Sequence, residues 1–76
     1  MNNPRRKRID RVHELLEEQL EELNALRDEE EEAYDNLPES LQETERGEAM
    51  QEAIDNLDSA VSSIEEAIEA LEAATQ

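Results

Sequence analysis

From Met50 onward the apolar positions of this chain fall on a strict repeat. Met50, Leu57, Ile64 and Leu71 recur every seven residues, and Ile54, Val61 and Ile68 fall between them. Alternating steps of four and three put all seven on one stripe of an α-helix, the pattern of a coiled-coil seam. Ala53, Ala60, Ala67 and Ala74 form a third row beside that stripe. A small residue once per heptad lets a second helix approach closely, so the pattern predicts a helix covered on two sides.

The first half of the chain carries a weaker version of the same spacing. Ile9, Val12, Leu16, Leu23, Leu26, Ala33 and Leu37 follow it, Gln19 and Glu30 interrupt it, and Leu15 and Leu20 widen the face. The spacing predicts a helix over 4–35, with Asn3 as N-cap and Pro4 in the first turn, where a missing N–H costs nothing. Pro38 ends that helix, because proline lacks the backbone donor and disfavours helical geometry in the residue before it. Ser40-Leu41-Gln42-Glu43 has the spacing of a capping box and predicts a second helix over 41–74. Gly47 falls inside that helix, costs about 1 kcal/mol relative to alanine, and is expected to kink or fray its first turns.

Two helices of similar length joined by the connection 36–40 describe one all-α domain, an antiparallel helical hairpin. One hairpin cannot cover both the wide face of the first helix and the seam-plus-alanine face of the second. The expectation is therefore a homo-oligomer, most simply a homodimeric four-helix bundle, since closed symmetry is the norm for soluble homo-oligomers. Its shared seam would hold Leu16, Leu23, Leu26, Met50, Ile54, Leu57, Val61, Ile64, Ile68 and Leu71.

Composition sharpens this picture. A 76-residue chain buries only about 60% of its unfolded surface, and chains this short usually need disulfides, a metal or a partner chain. Cysteine is absent, which removes disulfides and thiolate metal sites together and fits a reducing compartment. No apolar run is long enough to span a membrane and no signal-peptide segment is recognisable, so the expected place of action is the cytoplasm of a host cell. The formal net charge is −16, unevenly spread. Arg5, Arg6, Lys7, Arg8 and Arg11 stand against Asp10 alone and give the first eleven residues +4, which leaves −20 for the rest.

Carboxylates are abundant, but acid–base chemistry needs one whose pKa is shifted by burial or a close charge, and nearly all of these fall on outward positions. Glu30 is the exception; it is expected to form a polar layer near the connection, paired with Arg27 or Arg46. His13 and Glu17 have the spacing of a metal-binding pair, yet the Glu-x-x-His motifs of a di-metal carboxylate bundle are missing. His13 is therefore expected to be an isolated surface histidine. One glycine rules out a Gly-rich phosphate loop, and no nucleophile–base arrangement is suggested. No enzyme, metal site or cofactor is expected.

The basic cluster is the odd feature, because positive side chains at a helix N-terminus oppose the helix dipole. One reading pairs them with Glu65, Glu66, Glu69 and Glu72 at the end of the second helix. The other gathers Arg5, Arg6, Arg8 and Arg11 of several subunits into a site for a phosphate-bearing ligand such as a nucleotide, where guanidinium groups offer bidentate donors. The run Asp28-Glu29-Glu30-Glu31-Glu32, with the Glu pairs before it, has its own two readings. It is a solvated face, or it imitates DNA toward a basic host protein along a rod about 45 Å long. Direct binding to nucleic acid is disfavoured by the −20 outside the basic segment.

The connection Asp35-Asn36-Leu37-Pro38-Glu39-Ser40-Leu41-Gln42, between a basic-then-acidic first helix and an Ile/Leu/Ala/Glu second helix, resembles that of small acidic helical-hairpin proteins carried by phages and mobile elements of Gram-positive bacteria. The resemblance implies a non-enzymatic protein that counters host defence by binding a protein or a signalling nucleotide. It carries no site residue over to this chain. A purely structural or regulatory oligomer is the third class the residues allow.

Overall fold

The computed structural model describes residues 1–76 as an all-α antiparallel hairpin built from α1 (Asn3–Asp35), a single turn α2 (Glu39–Gln42) and α3 (Glu45–Ala74). The molecule is a rod of 58 × 14 × 13 Å. No helix is long and apolar enough to cross a membrane. The N-cap of α1 is Asn2 rather than Asn3. Its side-chain oxygen accepts from the Arg5 N–H at 2.8 Å and its carbonyl accepts from Arg6 at 3.1 Å. Pro4 sits in the first turn as expected.

The connection is longer than 36–40 and is made in two steps. Pro38 stops α1 but also opens α2, its carbonyl accepting from Leu41 and Gln42. The chain breaks again at Glu43, and α3 starts at Glu45 behind Thr44, not at Leu41. The expected capping box is not formed: no side chain caps α2, and Pro38, not Ser40, occupies its cap position. Gln42 instead reaches back, its side-chain amide donating to the Tyr34 carbonyl at 3.2 Å and the Leu37 carbonyl at 3.1 Å. Those carbonyls belong to the last turn of α1 and the step beyond, where helical partners run out.

Gly47 neither kinks nor frays α3. It is buried where α3 turns in against α2, and a Cβ built on it would run into the Gln42 carbonyl. Only a residue without a side chain lets the two backbones come so close.

His13 stands opposite Glu72, and Arg27 opposite Asp58. Fourteen residues along α1 are thus matched by fourteen back along α3, two heptads on each side, so the seams stay in step for the length of the rod. The α3 seam is the one expected, with Val61 and Ile68 buried at 6% and 8% exposure and Met50, Ile54, Leu57, Ile64 and Leu71 half-buried. Ala53, Ala60 and Ala67 are half-buried beside it, while Ala74 is exposed.

The α1 seam differs from the expected one. Its inward row is Arg6, Ile9, His13, Leu16, Leu20, Leu23, Arg27, Glu30, Tyr34 and Leu37, all half-buried. Leu16 and Leu23 lie on the seam as expected, but Leu26 is 42% exposed, Val12 is 46% exposed, and Ala33 is exposed too. The row of Val12, Leu26 and Ala33 and the row of His13, Leu20, Arg27 and Tyr34 flank the same central positions. The second row faces α3 because long amphipathic side chains lay their stems across the partner helix while their charged tips stay wet.

Candidate functional site

The hairpin has two long grooves between α1 and α3, and they differ in chemistry. Along one run the polar ties. His13 sits between two carboxylates, Nδ1 at 2.9 Å from Glu17 and Nε2 at 3.0 Å from Glu72. Arg27 donates to Asp58 and Asp28, each at 3.2 Å. Between these ties lies a cleft of about 590 Å³ walled by Glu14, Glu17, Glu21, Glu65 and Glu69 over Leu20 and Ile68.

His13 is therefore a half-buried strut between the helices, not an isolated surface residue. Its pKa is raised above the ordinary 6.5, first by the hydrogen bond with Glu72; partial desolvation opposes this, and the charges of Glu17, Glu72 and Asp10 add to it. With a carboxylate on each ring nitrogen, the imidazolium form can donate to both. No group of three or more side chains is gathered around one point as metal ligands. The Arg27 pKa is likewise raised, mainly by its bonds to Asp28 and Asp58.

Glu30 is half-buried in the seam, as expected, but Arg27 is engaged with Asp28 and Asp58, and neither Arg27 nor Arg46 pairs with it.

The opposite groove opens at the basic end. Arg5 and Arg8 line a cleft of about 420 Å³ whose floor is Ile9, Val12 and Leu71. Arg11 lies elsewhere on the helix surface, paired with Glu14 at 3.5 Å. Arg6 turns into the seam, half-buried, with its Nε buried and without a hydrogen-bond partner. The structure thus brings together two of the four arginines singled out by the sequence and separates the other two. The expected pairing of this cluster with Glu65, Glu66, Glu69 and Glu72 is not made. Of those four acids only Glu72 forms an ion pair, and its partner is His13.

Leu71 as part of the arginine cleft, and the ties of His13 and Arg27, escaped sequence reasoning. A signal was present: the 3/4 alternation runs from Arg6 to Leu37 without a break once charged side chains are allowed on the seam. No family model, curated protein or solved structure matches this chain.

Proposed function

We propose that this is a non-catalytic binding protein of phage or mobile-element origin whose basic end takes a phosphate-bearing ligand, of the nucleotide class, between Arg5 and Arg8. The observation that carries the reading is the pair of arginines in one cleft, free of carboxylates, on a chain with sixteen more acids than bases. Two guanidinium groups supply forked donors for phosphate oxygens, and the apolar floor of Ile9, Val12 and Leu71 suits the flat face of a base or sugar. Capture of such a ligand in a host cytoplasm would act by sequestration and needs no reacting group on the protein.

The test is a thermal-shift screen of inorganic phosphate and nucleotides. A ligand of micromolar affinity at millimolar concentration adds about 4 kcal/mol to the folded state. The double variant Arg5→Glu, Arg8→Glu should abolish the shift while leaving the helical circular dichroism unchanged. A screen silent for the folded protein overturns the reading.

A second reading rests on a different observation: of the acids in Asp28-Glu29-Glu30-Glu31-Glu32, only Asp28 is in an ion pair and Glu30 lies in the seam, so the exposed Glu29, Glu31 and Glu32 remain for a basic host protein. Lysine substitutions there, and not at the arginines, would then abolish capture of that protein.

A further inference from the structure

The side of the rod that holds Arg5 and Arg8 is sparing in charge, although the α1 row beside it keeps Arg8, Glu22 and Glu29 around Leu15. On α3 its outer row, Ala53, Ala60 and Ala67 with Asn56, Ser63 and Ala70 beside them, carries no ionisable group in a chain that is 39% charged. On α1 the corresponding row is Arg5, Val12, Gln19, Leu26 and Ala33, spaced by sevens. At 100° per residue this row lies about 90° round the helix from the side that meets α3. In a square four-helix bundle that direction points at the helix stacked on this face, which is the second copy's α1 when the two-fold axis runs across the rods. Val12 and Leu26 stand exposed along it.

The row is self-complementary when read against its own reverse. Centred on Gln19, an antiparallel copy places Val12 opposite Leu26, Arg5 opposite Ala33 and Gln19 opposite itself. The same register lays segment 5–11, with net charge +4, along segment 27–33, with net charge −4. Arg8 then comes level with the second copy's Glu30, and Ile9 level with its Glu29. A parallel copy would instead place the two +4 segments at one end and the two acidic runs at the other. Like charges brought together in this way are repulsive, whereas matched opposite patches steer association and fix register. On α3 only Ala67 lies at the same centre, since the His13–Glu72 register puts Gln19 beside Glu66. A small side chain there allows the two α3 helices to close up.

We infer that this side of the rod is the interface of an antiparallel two-fold dimer of this chain, with Gln19 on the axis and segment 5–11 of each copy on segment 27–33 of the other. This goes beyond the ligand reading above and meets it at Arg5 and Arg8, where the second copy's carboxylates and a phosphate are alternatives. Phosphate should then loosen the dimer.

The chain has no cysteine, so single cysteines report the register cleanly. Under mild oxidation Gln19→Cys should become a disulfide-linked dimer, Val12→Cys alone should not, and a mixture of Val12→Cys with Leu26→Cys should cross-link. Sedimentation at tens of micromolar and low salt should give twice the 8.7 kDa chain mass. Arg5→Glu, Arg8→Glu and Glu29→Lys, Glu30→Lys should each weaken the dimer at least tenfold, and mixing the two variants should restore it as a heterodimer. A monomer mass for the folded wild-type chain overturns the inference. So does a dimer that cross-links through Val12→Cys alone and not through Gln19→Cys. Leu26→Glu keeps the arginine cleft intact while breaking the interface. A phosphate response that survives in it, beside a wild-type chain that is monomeric, leaves the ligand reading standing and removes only this one.

Discussion

Both long helices present a 3/4-spaced seam to one another, but they fill it differently. α3 uses Met50, Ile54, Leu57, Val61, Ile64, Ile68 and Leu71, and only there do hydrophobic side chains become buried. α1 sets Arg6, His13, Arg27 and Glu30 among Ile9, Leu16, Leu20 and Leu23, and none of its residues is buried. The difference teaches that one good seam suffices to hold a hairpin together. The opposing helix can cover it with the stems of charged side chains and place polar tips on the rim, where they find carboxylates at Glu17, Glu72, Asp28 and Asp58.

If α3 supplies the hydrophobic grip, Ile68→Ala is the most damaging single truncation. A buried isoleucine cut to alanine costs about 2–5 kcal/mol, and a domain of this size has roughly 4–11 kcal/mol in all. Leu16→Ala on the half-buried opposite row should cost visibly less. Urea denaturation compares them, and equal costs would break the asymmetry. Gly47→Ala comes next. Alanine is the better helix former by about 1 kcal/mol, yet its Cβ meets Gln42 backbone, so a net loss of about 1–3 kcal/mol is expected from the forced shift. A gain in stability would mean that the corner opens freely.

Arg27 sharpens the point about stems. Arg27→Met, which keeps the length and loses the charge, should leave the melting temperature nearly unchanged, whereas Arg27→Ala should lower it. The opposite ranking would assign the role to the ion pair rather than to packing. His13 gives the smallest effect and a definite sign. Its folded-state pKa is raised, so its contribution is fully present below the unfolded value of about 6.5 and is lost as pH rises through the higher folded value. The wild-type melting temperature should fall across that window relative to His13→Leu, and parallel curves for the two proteins would show that the strut contributes nothing.

The hairpin was legible because Pro38 and two stretches of heptad spacing leave little else for the chain to do. The register of α1 was not. Two flanking rows share the positions of Ile9, Leu16, Leu23, Glu30 and Leu37, and the choice between them looked like a choice between Val12 with Leu26 and His13 with Arg27. Hydrophobicity alone picks the first pair. The folded chain picks the second, because a half-covered seam rewards reach as much as apolarity. The capping box failed for a related reason: Gln42 is drawn to the carbonyls at the end of α1, and Gly47 lets the backbone close over it, so the turn at Ser40 ends after four residues. As for the candidate site, the arginine cluster stood out in the sequence, but which two of the four share a cleft depends on where Leu71 arrives.

The two-step corner also decides the order in which the hairpin can zip. Tyr34, Leu37, Gln42 and Gly47 are close in sequence, so their contacts close small loops, while the tie between His13 and Glu72 must close one of 59 residues. Loop-closure entropy grows with length, and contacts distant in sequence are reached last unless nearer ones have already formed. Folding should therefore run from the corner outward, and thermal opening should begin at the opposite tip. That tip carries Arg5 and Arg8, so whatever binds there also clamps the last part of the molecule to close. Backbone amides of α3 beyond Ile68 should gain the most protection from hydrogen exchange when it does.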